Sequence, residues 1–429
     1  HARDPPALVQ NRPTRIAELN RRRPLEVPRV VPQTRPRRDR PAREIAAARE
    51  LTQKRIAEHD DVVACAQLFR LLEHGGGLCP GLNNVIRSIF LELHHGYGIK
   101  EILGFRDGYQ GLDPQRGKEP LRLTPEMVDD IHREGGTLLG TSRGPVDTKV
   151  AVQNLIARGV DILFTIGGDG TQRGGHDLFQ EARRLGHPLA VVGVPKTIDN
   201  DVPFVSRTFG YLTAVEQASK VLDCAHTEAH SVHNGISLVK LMGREAGFIA
   251  AGATVANQDV NFTLIPELPF KLEGPRGFLP LLKERVLRRA HALIVVAEGA
   301  GQDLFPGGSQ ARDASGNVKL RDIGLFLREK IEAYFKAQNV PIVLRYLDPS
   351  YILRSVVADA EDSILCDLYA RNAVHAAMAG KTGLVIGLLH DQFIHVPIEL
   401  LTGQKKRLSL QGSMWHAVLA TTGQPERFE

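Results

Sequence analysis

Four short, nearly unbroken apolar runs, each ending in a glycine- or lysine-bearing polar loop, constrain this chain most. They are Asp161–Ile166 (DILFTI), Leu189–Val194 (LAVVGV), Ile236–Leu241 (ISLVKL) and Ala292–Ala297 (ALIVVA). A strand with one wet face alternates apolar and polar residues, whereas a run that is apolar throughout suits a strand covered on both faces. Stretches with helical spacing lie between and after them, at Arg173–Leu185, Arg244–Val255 and Ile323–Ala337. This alternation predicts parallel sheets with helices on both sides, an α/β class. At 429 residues the chain has room for more than one such sheet.

Charge narrows the partners. The net charge of +5 is unevenly placed: residues 1–60 hold 15 Lys+Arg against 8 Asp+Glu, leaving 39 against 41 for the remainder. The first 41 residues also hold 8 of the 25 prolines. That arm has little to bury and is expected to be poorly ordered, with no interleaved aromatics to suit a nucleic acid. Nucleic acid is therefore not an expected partner. No apolar run approaches the ~18 residues of a membrane span, so no membrane partner is expected either. The four cysteines, Cys65, Cys79, Cys224 and Cys366, show no CxxC pair, which points to a reducing, cytoplasmic setting. The chain starts at His1 without a signal-peptide pattern, as expected of a processed start or a fragment.

Ligands of parallel sheets bind beyond the carboxyl ends of the strands, so the loops there carry the functional reading. Gly75-Gly76-Gly77-Leu78-Cys79-Pro80-Gly81 precedes a helical stretch at Val85–Leu93 and would let backbone N–H groups approach phosphate oxygens. It is neither a Walker A loop nor GxGxxG, and by itself is as readily a turn. Gly167-Gly168-Asp169-Gly170-Thr171 follows DILFTI and suits a nucleotide phosphate with Mg²⁺ on Asp169. Pro195-Lys196-Thr197-Ile198-Asp199-Asn200-Asp201 follows LAVVGV and offers a carboxylate base beside a cation, though Asx-rich turns are common. Met242-Gly243-Arg244, Glu298-Gly299-Ala300-Gly301 and Pro349-Ser350-Tyr351-Ile352-Leu353-Arg354 complete the set. Singly, each of these three reads as a surface feature rather than a site.

In this order and spacing the loops, GGDGT and PKTIDND above all, resemble the phosphofructokinase family from about Gly75 to Pro425. The resemblance implies an ATP-dependent 6-phosphofructokinase, which phosphorylates the 1-hydroxyl of fructose 6-phosphate in glycolysis. Its alternatives are a pyrophosphate-dependent phosphofructokinase and a catalytically impaired regulatory homologue. It implies two doubly wound lobes with mainly parallel sheets and the active site between the lobes. Laid on this sequence, that gives a basic extension at 1–60 and an ATP-binding lobe at 61–210, to which the chain returns at about 353–380. A sugar-phosphate lobe follows at 211–352, then C-terminal strands and a tail at 381–429.

Carried over residue by residue, Gly76, Arg143, Asp169, Gly170 and Thr171 would surround ATP, with Mg²⁺ on Asp169. Asp199 matches the family's general base, flanked by the substrate-binding residues Thr197 and Asp201. Met242, Gly243, Arg244, Glu298 and Arg354 match sugar-phosphate contacts, and Tyr351 stands where many bacterial ATP enzymes have histidine. Arg345 corresponds to a residue supplied by a neighbouring subunit, in keeping with a homotetramer or homodimer. Gly170 replaces an aspartate that in pyrophosphate-using relatives obstructs the α-phosphate of ATP. Lys196 is typical of the pyrophosphate-type branch, and the pair resembles that branch's ATP-dependent members. One departure stands out. Where the family runs a strand into the first Gly-Gly, Val62–His74 (VVACAQLFRLLEH) has near-helical apolar spacing. A strand formed despite that pattern and an altered start of the lobe both stay open.

Overall fold

Strands among the described residues are, in chain order, β1 (Cys65–Phe69), β2 (Ile102–Gly104), β3 (Leu121–Arg122), β4 (Val160–Gly167), β5 (Ala190–Pro195), β6 (Gly235–Leu241), β7 (Phe262–Leu264), β8 (His291–Ala297), β9 (Val343–Leu347), β10 (Leu384–Leu389) and β11 (Gln392–Pro397). The structure is a computed structural model that describes residues 78–141, 146–305, 318–401 and 403–429, with the backbone of 65–69. The basic arm at 1–60, Gly76 and Arg143 lie outside the described residues. Two sheets result, one ordered β11-β10-β5-β4-β1-β2-β3 and the other β7-β8-β6-β9. Every pairing is parallel except β10 with β11 and β2 with β3 at the two edges of the larger sheet. The architecture is α/β.

The apolar runs are explained by what each face meets. On β6, Ile236 and Leu238 enter one core while Val239 and Leu241 enter another. On β8, Ala292, Ile294 and Val296 share the first of these cores, and Leu293, Val295 and Ala297 the second. With a period of two and a core on each side, most positions on these strands are apolar, and the polar exceptions on β6 are tied down by their side chains, Ser237 to the Ala225 carbonyl and Lys240 to Asp322 and Asp348. The same holds for β4, where Leu163, Phe164 and Ile166 are fully buried.

Val62–His74 does contain a strand. β1 pairs in parallel with β4 (Ala66 opposite Ile162 through Phe69 opposite Thr165) and with β2 on its other side. Bonding to neighbours on both edges outweighs the local 3.6-residue spacing, because strand propensity is set largely by tertiary context. Among the described residues no helix is long and apolar enough to cross a membrane.

Helix Tyr211–His230 crosses between the sheets and has its N-terminus capped from a distance. Asp362, wholly buried in helix Ala360–Met378, accepts hydrogen bonds from the Thr213 backbone N–H (2.8 Å) and hydroxyl (2.7 Å). Burial pushes this carboxyl up to about 6 despite those donors. Asp362→Ala strands the Thr213 donors. It is expected to cost about 1–3 kcal/mol of stability, measurable as a lower melting temperature at neutral pH.

Candidate active site

Carboxyl ends of strands from both sheets converge on one set of loops. β4 ends at Gly167, where a Cβ would stand 2.1 Å from Thr171 Oγ1, so only glycine fits before the chain turns into helix Asp169–Arg184. Gly170 and Thr171 are buried in its first turn, and the Tyr109 hydroxyl donates to the Thr171 carbonyl at 2.7 Å. Asp169 lies at the positive end of the helix dipole, a position that favours an anion. It pairs with Arg173 at 3.2 Å and lies 4.0 Å from Lys405. The Gln172 side-chain amide donates to the carbonyls of Gly167 (2.9 Å) and Val194 (3.2 Å), pinning the ends of β4 and β5 together. Lys196, also buried, continues this join through its backbone N–H to the Gly167 carbonyl at 3.0 Å.

The loop after β5 is a knot of side-chain-to-backbone bonds. Asp199 N–H donates to Thr197 Oγ1 at 3.1 Å, and the Thr208 hydroxyl donates to the Thr197 carbonyl at 2.6 Å. Asn200 takes a left-handed backbone (φ +53°), which asparagine tolerates well, and its Oδ1 accepts from Thr208 N–H and from the Lys406 ammonium. The middle residue of Asp-Asn-Asp is thus a bracket that fixes the backbone between the two carboxylates. Asp201 is held by Lys405 at 2.8 Å.

Asp199 is different. The residue keeps some exposure, but its Oδ1 is shut off from solvent and has no hydrogen-bond partner. Burial raises its carboxyl to about 8, with Asp201 and Glu298 adding to the effect, while Lys405 and the Arg244 backbone N–H oppose it.

The second sheet contributes the facing wall. After β6, Gly243 has φ +130°, which L side chains rarely adopt, and its carbonyl accepts from Gly299 N–H at 3.1 Å. A Cβ on Gly299 would stand 1.9 Å from the Arg244 carbonyl, so the loops after β6 and β8 touch backbone to backbone. Glu298 follows β8; burial pushes its carboxyl up, and Arg244, Lys240 and Arg354 pull it back. Arg354, on helix Ser350–Ser355, has its guanidinium 5.1 Å from the Tyr351 ring, which is 74% exposed. Asp199, Asp201, Arg244, Glu298 and Arg354 are therefore one constellation, with half-buried Met242 beside it. Arg345 is not part of it. It sits exposed on the edge strand β9, and among the described residues no hydrogen bond or ion pair joins it to the cluster.

Sequence reasoning missed several contributors. Lys405 and Lys406 come from a segment far along the chain, with only the run Lys405-Lys406-Arg407 as a signal. Gln172 and Tyr109 carry no signal of their own. Lys240, inside an apolar strand run, ion-pairs with Asp322 and Asp348 at 2.8 Å each and stands behind Glu298. Among the described residues no group of three or more His, Cys, Asp or Glu side chains forms a metal cage.

The family model described as phosphofructokinase matches residues 71–377. The chain belongs to the phosphofructokinase family. Within that family it is 48% identical over 356 residues to the ATP-dependent 6-phosphofructokinase of Borreliella burgdorferi, covering 82% of this chain and 80% of that one. It is 46% identical over 359 residues to the ATP-dependent 6-phosphofructokinase of Amycolatopsis methanolica, covering 82% and 78%. It is 44% identical over 375 residues to ATP-dependent 6-phosphofructokinase 7 of Arabidopsis thaliana, covering 87% and 76%. A solved pyrophosphate-dependent phosphofructokinase from Marinobacter aquaeolei shares the fold, with a TM-score of 0.67 and 21% identity over 85% of this chain and 91% of that one.

In this phosphofructokinase the raised Asp199 carboxyl has a consequence for stability. Its folded value of about 8 lies above the ordinary 3.8, so the folded state binds the proton more tightly than the unfolded state. The stability gained from the neutral form is full at low pH and is lost as pH rises across that interval. Asp199→Asn removes the loss. Its melting temperature is expected to exceed the parent's by a margin that widens from about pH 5 to about pH 8. A flat or negative margin would contradict the burial of this carboxylate.

Proposed function

We propose that this phosphofructokinase moves the γ-phosphoryl group of ATP to the 1-hydroxyl of fructose 6-phosphate, yielding fructose 1,6-bisphosphate. The observation that carries the mechanism is Asp199: a carboxylate oxygen without a partner, set between a phosphate-type loop and a wall bearing Arg244, Glu298 and Arg354. An unsatisfied acceptor with a raised pKa is a base waiting for a donor, and a substrate hydroxyl is such a donor. The relatives at 44–48% identity, all named ATP-dependent, support the nucleotide as donor. So does Gly170, which presents no side chain where an aspartate would carry bulk and charge.

On this reading Asp199 takes the 1-hydroxyl proton as the oxygen attacks, and the raised carboxyl keeps proton affinity close to what neutral-pH base catalysis needs. The remaining work is positioning and charge neutralisation, since in-line phosphoryl transfer asks little covalent chemistry of the protein. The first turn of helix Asp169–Arg184, with Gly170 and Thr171 buried in it, would cradle donor phosphates, and the buried Lys196 would supply charge to the group in transit. Gly76 and Arg143 are assigned to the donor by resemblance. Arg244 and Arg354 would take the sugar phosphate and Glu298 the sugar hydroxyls, with Thr197, Asp201, Met242, Gly243 and Tyr351 around them.

Mg²⁺ fits the donor side. It prefers one or two carboxylates with the rest of its shell from phosphates and water, and Asp169 is a single hard ligand at a glycine turn rather than part of a cage. When bound, it neutralises charge on the donor phosphates. The exposure of Arg345 on an open sheet edge supports its use by a neighbouring copy, in a homotetramer or homodimer. Cys79, Cys224 and Cys366 are thiols rather than disulfides among the described residues, which supports a reducing compartment such as the cytoplasm.

Asp199→Asn is expected to lower kcat by about 10²–10⁴-fold with a much smaller change in the KM for fructose 6-phosphate. Turnover near that of the parent would remove Asp199 as base. Arg354→Ala is expected to act the other way, mainly raising that KM, in steady-state assays with ATP saturating. An unchanged KM would remove Arg354 as a phosphate ligand.

A further inference from the structure

Lys405 to Leu408 form a strap with neither helix nor strand, yet every residue of it is tied to the site, the first two to the Asp199 loop and the last two to the side of Arg244. The Lys405 ammonium lies 2.8 Å from Asp201 Oδ2 and 4.0 Å from Asp169 Oδ2, so one cation stands between the donor-loop and acceptor-loop carboxylates. Lys406 donates its backbone N–H to the Asp201 carbonyl at 2.9 Å. Its ammonium donates to Asn200 Oδ1 (3.0 Å), the Val205 carbonyl (2.6 Å) and the Ser206 carbonyl (3.2 Å), which uses all three of its protons. Arg407 pairs with Glu245 at 3.5 Å, next to Arg244. The Leu408 N–H donates to Glu267 Oε1 at 2.7 Å, and the same carboxylate accepts from the Gly247 N–H at 3.0 Å. Within four residues the chain therefore passes from the loop of Asp199 to the loop of Arg244, loops that follow strands of different sheets.

We propose that Lys405 is a positioning residue for phosphoryl transfer, and that the strap carrying it fixes the Asp199 loop against both the Asp169 loop and the Arg244 loop. The proposal rests on the phosphofructokinase reading of the site. The physical case is simple. Asp169 and Asp201 are like charges brought near each other by backbone geometry, and a cation between them turns repulsion into a clamp. The strap has no hydrogen-bonded ladder of its own, so these contacts, with the burial of Leu408 in the core, are what hold it in place.

Three variants of the full chain test this: Lys405→Met, Lys405→Arg and Arg407→Ala. With both substrates saturating, Lys405→Met is expected to lose about 10²-fold in kcat, the size of effect that a displacement of about 1 Å produces. Its KM for ATP and for fructose 6-phosphate should stay within about threefold, as for an interaction realised mainly in the transition state. Lys405→Arg, which keeps the charge, should recover at least about a tenth of parental kcat. In parallel, amide hydrogen exchange on the substrate-free proteins should show faster exchange across residues 199–208 in Lys405→Met. Arg407→Ala, whose exposed ion pair is not needed for folding, should show a smaller acceleration in the same segment. Parental kcat with parental exchange in Lys405→Met and Arg407→Ala would overturn the proposal, and so would an Arg variant as slow as the Met variant. If the parent itself fails to turn over fructose 6-phosphate, the functional reading fails and the catalytic half of the proposal falls with it. The exchange comparison, made without substrates, still decides whether Lys405 holds the loop.

Discussion

Asp199 is a carboxylate placed where a carboxylate is costly, with Asp201 and Glu298 near it and one oxygen that no donor reaches. Much of the surrounding structure makes that placement tolerable. The Arg244 backbone N–H and the Lys405 ammonium offset part of the penalty, and Lys405 is itself kept charged: burial works against it, but Asp201, Asp169 and Asp199 outweigh burial. Lys406, whose ammonium donates to carbonyl and amide oxygens, is instead lowered by burial to about 8, with Asp201 opposing the shift. The site is a balance of close charges rather than a row of independent contacts.

That balance needs loops from two sheets held at fixed distances, and the sheets supply it. β4, β5, β6 and β8 are parallel and buried on both faces, so their carboxyl ends are rigid platforms. The loops on them are then joined by backbone contact, as between Arg244 and Gly299, or by a buried amide, as with Gln172. Flexibility at this place would let Asp199 reach water or a counterion, and the strained carboxylate would relax. A carboxylate base of this kind is only as good as the stiffness of its scaffold.

Much of this was legible in the sequence, and the reasons differ by element. The apolar runs read as doubly buried strands because a period of two with cores on both faces leaves few polar positions, as Ile236 and Leu238 on one side and Val239 and Leu241 on the other illustrate. The glycine- and aspartate-bearing loops drew a phosphate reading because they follow strand carboxyl ends, where ligands of parallel sheets bind, and because several of them occur together although each alone could be a turn. β1 was not legible, because its spacing mimics a helix and only its two neighbours make it a strand. Lys405 was not legible either. Its partners Asp169 and Asp201 are more than 200 positions away in sequence, and a short basic run reads as solvated surface unless the fold is known. Lys240 was hidden by its setting, a lone charge in an apolar strand whose partners come from the N-terminus of helix Ile323–Ala337 and the turn after β9.

The central claim is that the Asp199 carboxylate activates the 1-hydroxyl of fructose 6-phosphate toward ATP. Its most direct test follows the ³¹P NMR spectrum of fructose 6-phosphate with the purified chain and Mg²⁺, with ATP and pyrophosphate supplied in parallel samples. The account predicts growth of a second sugar phosphate ester on carbon 1 in the ATP sample, with matching loss of the γ-phosphate, and little or none with pyrophosphate. No new ester with either donor, or one formed only from pyrophosphate, would contradict it.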